Sequence, residues 1–305
     1  MAGSEPAVPV RMKNTPEPMA SVIIPTYNRG PFLRKAIDSV LAQTFRDFEL
    51  IVVDSRSTDD TPRFLAELGD AVAVLQIARG NPGAARNLGI RSTRAPLIAF
   101  LDSDDWWHPE KLAVQIEAMR REPGYPISHT QEIWYSGGRV LPQRPKHRKY
   151  HGWIFPRCLP LCAVSPSTVI ARRTLFDEIG LFDESLVCCE DYDLWLRASV
   201  SRPFLLVNRA LTFKDGGRVD QMSRIHRVGM DKLRIRSLVK NISAPGLLSA
   251  EQRTLALREL DKKCRIYGQG CLKHGKEKEG KRYLALPAIV AARGGEGTGD
   301  NCGVS

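Results

Sequence analysis

The chain begins its patterned part with an apolar run, Ala20 to Ile24, broken only by Ser21; it stops at Pro25 and enters the polar turn Thr26-Tyr27-Asn28-Arg29. Leu33, Ala36, Ile37, Val40 and Leu41 then recur at helical spacing, which predicts a helix over Pro31–Phe45. Phe48 to Val53 is a second buried-strand pattern, closed by Asp54-Ser55-Arg56-Ser57. Thr61–Leu68 reads as a second helix, Ala71–Ile77 as a third strand, and Pro82–Ser92 as a third helix through Ala84, Ala85, Leu88 and Ile90. Leu97 to Leu101 is a fourth strand, and Pro109 is placed to open a further helix. Strand and helix in alternation predict parallel βαβ units, an α/β fold. Ligands of such sheets sit beyond the carboxyl ends of the strands. Tyr27, Asp54 and Asp102 fall at three of those ends.

The fourth strand delivers Asp102, Asp104 and Asp105, three carboxylates within four residues. Adjacent carboxylates repel, and burying them unpaired costs several kcal/mol or more. A hard divalent cation removes that repulsion by taking oxygen ligands, often shared with a diphosphate. The blander reading is a charged loop capping the next helix, since Asp suits helix N-termini. The motif alone does not decide between them.

Its surroundings are more specific. The order V-I-I-P-T-Y-N-R, E-L-I-V-V-D, A-A-R-N-x-G and F-L-D-S-D-D resembles the inverting family 2 glycosyltransferases of GT-A fold, over Ala20 to Ala198. The resemblance implies a nucleotide-diphospho-sugar donor, transfer of one sugar with inversion, and a divalent metal, Mn²⁺ or Mg²⁺. It further implies that Pro25, Tyr27, Asp54 and Ser55 hold the nucleotide and that Arg86 lies near the donor. By the same resemblance Asp102 contacts the nucleoside, and Asp104 the metal bridging the diphosphate. One position departs from the family, which usually reads D-D-G-S where this chain has Asp54-Ser55-Arg56-Ser57. The Ser55 hydroxyl accepts a hydrogen bond without charge and with a shorter reach. Arg56 in place of glycine removes easy access to positive φ.

Farther on, Glu190-Asp191-Tyr192-Asp193-Leu194-Trp195-Leu196-Arg197 resembles the family's E-D-x-D-L-W-x-R segment. Inverting transfer needs one base to deprotonate the acceptor hydroxyl, while a metal neutralises the leaving diphosphate as Lewis acid. The resemblance assigns the base to Asp191. Acidic residues are also favoured in a helix's first turn, which explains the charge but not the family order. Gln221-x-x-Arg224 is similar to part of the Q-x-x-R-W motif of processive members, with Ile225 for Trp. The segment from Gly216 to Arg224 is therefore a candidate cover for the donor phosphates, and single addition is expected rather than polymerisation.

Composition adds limits. The chain has 305 residues, enough for one large core and an accessory unit, and 43% hydrophobic content is ordinary for a globular protein. No run of about eighteen apolar residues occurs, so no membrane span is expected. Residues 1–19 are rich in Pro and charge without an apolar core, and read as a disordered tail rather than a secretory signal, as does the Gly-rich 291–305. The reading is thus a GT-A domain over 20–215 and a basic helical region over 216–290. Seven scattered cysteines fit reduced thiols in a cytoplasmic protein. Trp153 is a candidate wall of an acceptor pocket or a core residue.

The net charge of +11 is concentrated between Ser201 and Leu286, with 20 Lys and Arg against 8 Asp and Glu. The same segment holds a helix pattern over Val228–Ile242 and a Ser249-x-x-Gln252 capping box. The charge is either a solvated helical face or a surface for peripheral contact with anionic membrane, where a lipid-linked acceptor rather than a soluble saccharide would be met. Nucleic acid is not expected, because no reader motif or stacking ladder accompanies the charge. A sugar nucleotidyltransferase would share the sheet and a metal-binding Asp, but it opens with a Gly-rich phosphate loop that Pro25–Gly30 is not. A noncatalytic relative would keep the fold and lose the base. Released nucleoside diphosphate, released pyrophosphate or binding without turnover separates the three.

Overall fold

The computed structural model describes residues 17–293 apart from 79, 217–220, 222–224 and 226–228. Its strands are β1 Ala20–Thr26, β2 Phe48–Asp54, β3 Ala73–Gln76, β4 Leu97–Phe100, β5 Asp105–Trp107, β6 Ile127–Ser136, β7 Arg139–Leu141, β8 Ile170–Arg172 and β9 Phe204–Asp215. Its helices are α1 Gly30–Leu41, α2 Thr61–Glu67, α3 Pro82–Arg91, α4 Lys111–Arg121, α5 Phe155–Cys158, α6 Arg173–Ile179 and α7 Glu190–Ser201, then α8 Met230–Ser243, α9 Ala250–Lys273 and α10 Glu277–Ala292. The strands form a nine-stranded sheet in the order β3-β2-β1-β4-β8-β6-β9-β5, with β7 paired to β6. β1 to β4 are mutually parallel where they touch, as the βαβ pattern predicts. Beyond β4 the sheet becomes mixed: β8 is antiparallel to β4, β9 parallel to β6, and β5 antiparallel to β9.

Side-chain alternation along the parallel strands builds two cores. Val22, Ile24, Leu50, Val52, Ala99 and Leu101 face α1 and α4, meeting Leu33, Ile37, Val40, Leu112 and Met119. Ile23, Ile51, Val53, Ile98 and Phe100 face the other way, into a larger cluster with Ile90, Leu194 and Trp195. Ile235, Leu238 and Ile242 of α8, Ala256, Leu260 and Cys264 of α9, and Val290 of α10 belong to that same cluster. The C-terminal helices are therefore packed into the core of the sheet domain.

Two boundaries differ from the sequence pattern. The third strand is shorter than Ala71–Ile77, because Gly69–Ala71 forms a 3₁₀ turn first. The helix after the acids begins at Lys111, two residues past Pro109, and β5 intervenes. Asp105 is thus a strand residue opposite Lys214, with Trp107 buried behind it. Two helix N-termini are capped by side chains, the second at the Ser249-x-x-Gln252 box expected from the sequence. Asn81 caps α3 by accepting from Ala84 N at 2.9 Å, and Ser249 and Gln252 form both halves of a capping box on α9. Among the described residues, no helix is long and apolar enough to cross a membrane, and the six described cysteines are free.

α3 lies on β1 through Gly89, where a Cβ would come within 2.6 Å of Ile23 Cγ2. Gly89→Val should therefore lower unfolding free energy by about 1–3 kcal/mol, the usual penalty for overpacking a filled core. Urea unfolding of the two proteins checks this, and equal midpoints would refute the close approach.

Candidate active site

The carboxyl ends of β1, β2 and β4 lie side by side. Thr26 stands opposite Asp54, and Ile23 opposite Phe100, so Pro25 is level with Asp102 when that register continues. The loops that follow are clasped together. Asn28, with φ 51, donates from its backbone N to Ser57 Oγ at 2.8 Å and accepts from Thr58 N at 2.7 Å. Asp54 is 1% exposed and accepts from Ser57 N at 3.1 Å and Ser57 Oγ at 2.5 Å. Ser55 is also buried, and its N donates to Thr26 O at 3.0 Å. Tyr27 is 37% exposed at the rim. The loop turns through positive φ at Arg56 (φ 57) even without a glycine there. Such a conformation costs an L-residue roughly 1–2 kcal/mol, and the Asp54–Ser57 bonds hold the loop to it.

Arg86, on α3, is 3% exposed and sits between two carboxylates. Its Nη2 lies 2.7 Å from Asp102 Oδ1, and its Nη1 lies 2.6 Å from Glu190 Oε1. Burial opposes charge on Asp102, but Arg86 and Lys214 outweigh it and hold Asp102 below the ordinary carboxylate range. Burial pushes the Glu190 carboxyl up to about 7, with Arg86 opposing and Asp191 adding to the rise. One guanidinium therefore serves two carboxylates of opposite tendency.

A second buried knot lies beside it. Lys214, delivered by the β9–β5 pairing, stands 2.8 Å from Asp105 Oδ2 and 3.8 Å from Asp102 Oδ2. Ser167 Oγ donates to Asp105 at 2.6 Å and accepts from Asp102 N at 3.0 Å. Burial pushes Asp105 up to about 8 despite Lys214, helped by Asp104 and Asp102. Burial also works against the Lys214 ammonium, yet Asp105, Asp102 and Glu132 outweigh it and keep it charged. Asp104 is half-buried between its neighbours. Among the described residues, no three His, Cys, Asp or Glu side chains converge on a metal position. With Asp102 and Asp105 answered by protein cations, this donor set suits an ion completed by a ligand's own oxygens rather than a closed cage.

Asp191 follows Glu190 in the first turn of α7, after Cys189 at φ 63. Its Oδ1 accepts from Tyr192 N at 2.7 Å, and the Cys162 thiol lies 3.2 Å from Oδ2. Asp102, Asp191, Cys162, Lys149, Lys214, Glu132 and Trp134 all line one cleft of about 480 Å³. The structure thus brings Asp102, Arg86 and Asp191 together, with Pro25, Asp54 and Ser55 on the adjoining strand ends. Trp134 lines the cleft, whereas Trp153 is 67% exposed and fills no core. The sequence reading passed over Glu190, Lys214 and the Lys149–Glu132 pair, which is 3.2 Å apart. Glu190 was legible beside Asp191; a lone lysine in a strand such as Lys214 carries no spacing signal. The Gly216–Arg224 cover falls mostly outside the described residues.

The site is thus a cleft beside the parallel strand ends of a mixed sheet, lined by Asp102 from the end of β4 and Asp191 from the first turn of α7. The profile of Glycosyl transferase family 2 matches residues 21–180, and the chain belongs to that family. An uncharacterized glycosyltransferase of Rickettsia prowazekii is 34% identical over 197 residues, which are 61% of this chain and 60% of that one. The chain thus spans about 60% of the length of the first relatives it matches. The UDP-Glc:α-D-GlcNAc-diphosphoundecaprenol β-1,3-glucosyltransferase WfgD of Escherichia coli is 34% identical over 187 residues, 58% of this chain and 68% of its own. Among solved structures, S. aureus TarS in complex with UDP-GlcNAc superposes with a TM-score of 0.55 at 20% identity, covering 90% of this chain and 92% of that one. The mannosyltransferase PcManGT of Pyrobaculum calidifontis, in complex with GDP-Man and Mn²⁺, gives 0.57 at 16% identity, covering 92% and 87%. These likenesses establish the fold as GT-A with C-terminal helices.

The Glu190 carboxyl has a sign-defined consequence. Its ordinary value of 4.5 rises to about 7 in the fold, so between those values the folded protein holds a proton the unfolded chain has lost. Its contribution then makes stability fall as pH rises through that window. Glu190→Gln, which imitates the protonated form, should become progressively more stable relative to wild type from about pH 5 to about pH 8. Urea unfolding across that range measures the difference, and a difference independent of pH would mean that Glu190 is ionised throughout.

Proposed function

We propose that the protein transfers a sugar from a nucleotide-diphospho-sugar to an acceptor hydroxyl, with inversion. The observation that carries this reading is Arg86, which ties Asp102 at the end of β4 to the Glu190–Asp191 turn in one cleft. Pro25, Tyr27, Asp54 and Ser55 form the nucleotide end, and Asp102 would contact the nucleoside. Ser55 offers the base a hydroxyl where relatives have a carboxylate, so base discrimination is expected to be weaker. Asp104, together with the donor diphosphate, would hold Mn²⁺ or Mg²⁺. When bound, that ion supplies Lewis-acid neutralisation of the leaving diphosphate. Asp191 takes the proton from the attacking hydroxyl, held in place by Tyr192 N and the Cys162 thiol. The Arg86 and Lys214 charges keep Asp102 from competing as a base.

The acceptor class is drawn from relatives such as WfgD, whose name specifies a diphosphoundecaprenol-linked saccharide. Synthesis of a cell-surface polysaccharide or glycolipid follows as the setting. The exposed end of the α9–α10 hairpin supports contact with an anionic membrane there. Lys273, Lys276, Lys278 and Lys281 are exposed, and Leu272 and Leu284 are each 37% exposed.

Thermal shift against nucleotide-sugars should first select a donor, because a bound ligand stabilises the fold by mass action. With that donor, Asp191→Asn should keep donor affinity within a few-fold and lower turnover by roughly 10²–10⁴. Asp104→Ala should instead abolish Mn²⁺- or Mg²⁺-dependent donor hydrolysis while the protein stays folded. Full activity of either variant would overturn its assigned role.

The membrane reading is tested by sedimentation with anionic vesicles. Binding should weaken as salt rises, since such attraction is screened within about 8 Å at physiological ionic strength. Reversing Lys273, Lys276, Lys278 and Lys281 to Glu should abolish it while donor hydrolysis persists. Absence of binding at low salt would leave an ordinary solvated face and favour a soluble acceptor.

A further inference from the structure

The C-terminal helices lie beyond the family-matched residues 21–180, yet they reach the cleft. α8 contributes Asp231 and Arg234, and α9 contributes Lys263, beside Cys162 and Asp191. Lys263 is 6% exposed in the middle of its helix, an expensive place for an ammonium. Its Nζ donates to Pro160 O at 2.8 Å and lies 3.3 Å from Glu259 and 3.5 Å from Asp231. Arg234 is satisfied less well. Its Nη1 stands 3.3 Å from Asp231, its Nη2 faces the Met230 thioether at 3.1 Å, and its Nε is buried with no acceptor among the described residues. A guanidinium carries five N–H donors, and a thioether is a weak acceptor. Lys263 thus has an acceptor for each of its three N–H donors, whereas Arg234, which shares Asp231 with it, retains unused donor capacity.

Their position relative to Asp191 follows from their neighbours. Arg234 feels Cys189, Asp231 and Cys162, whereas Asp102 feels Arg86 and Lys214. The Cys162 thiol touches Asp191, and Glu190, preceding it, touches Arg86. Asp191 accordingly lines the same cleft as Arg234 and Lys263, touching Cys162 and following the Arg86-bound Glu190.

We propose that Arg234 and Lys263 form an anion subsite, in the same cleft as Asp191, that takes the phosphoryl group of a phosphorylated acceptor. This deepens, and rests on, the transferase reading above. The Arg234 fork matches two phosphate oxygens, and Lys263 adds a point charge beneath them. A donor diphosphate offers the same chemistry, so the test fills the nucleotide end first.

Phenyl phosphate is titrated calorimetrically into the full chain, with and without saturating nucleoside diphosphate and Mg²⁺. The subsite requires binding in both conditions. Arg234→Gln should weaken it by about tenfold or more, the loss expected for a charge-assisted contact. Asp231→Asn should tighten it, because Arg234 loses its competing carboxylate. A purely structural ion pair predicts no such gain. Arg234→Lys, which keeps the charge and loses the fork, should give an intermediate affinity and covers the case in which Arg234→Gln does not fold. Binding that vanishes once the nucleotide is present would place Arg234 on the donor diphosphate and overturn the acceptor assignment. Unchanged affinity in the Arg234 variants, or weaker binding in Asp231→Asn, would overturn the subsite itself. Failure of every nucleoside diphosphate to bind would instead strike at the transferase reading beneath it.

Discussion

The bridge from Arg86 to Asp102 and Glu190 is the constraint on which the rest of the site depends. A buried guanidinium is tolerable only with carboxylates on its donors, and losing either partner of such a pair typically costs 3–5 kcal/mol. Two elements far apart in sequence are therefore pinned: the end of β4 and the first turn of α7. The packing agrees with the charge. A Cβ on Gly83 would meet Glu190 Cγ at 3.1 Å, so α3 approaches α7 as closely as a glycine allows. Asn87 adds three bonds to the segment leading into α7, donating to Phe182 O at 2.9 Å and Glu184 Oε1 at 2.8 Å and accepting from Phe182 N at 3.0 Å. Asp191 is placed in the cleft as a consequence, one residue beyond the anchored Glu190.

The same economy of charge governs the acid cluster. Asp102 and Asp105 share Lys214, and Asp102 also takes one arm of Arg86. Burial and the neighbouring acids push the most buried member, Asp105, up to about 8 against the pull of Lys214. The antiparallel half of the sheet matters here, since the β9–β5 pairing puts Lys214 opposite Asp105.

The parallel half was readable because it obeys one rule repeatedly. Each strand from β1 to β4 is an apolar run that ends in polar residues, and each helix between them carries apolar residues on one face. The candidate residues at strand ends could be named for the same reason. Beyond β4 the rule lapses. β5 has three residues, β8 has three, and β9 takes its partners from both β6 and β5, so their pairing depends on long-range register that no local period encodes. Lys214 went unseen for that reason. Trp153 shows a different outcome: of the two roles open to it, acceptor-pocket wall or core residue, its 67% exposure excludes the core. Arg56 shows a third kind of failure: a local preference against positive φ was overridden by the buried Asp54 that closes the loop.

The C-terminal helices change the meaning of the chain's basic character. Read as a count, the surplus between Ser201 and Leu286 is one diffuse property. In the fold it separates into parts with different energetics. Lys214 and Lys263 are buried and balanced by carboxylates, so salt hardly reaches them. Lys273, Lys276, Lys278 and Lys281 are exposed, where attraction to a surface is weak per residue and screened. Arg234 falls between these limits, partly buried at the cleft and underused by its protein partners. A helix that packs Ile235 and Leu238 into the core shared with the sheet presents Arg234 beside Asp191, so the fold of this extension and the shape of the cleft are set together.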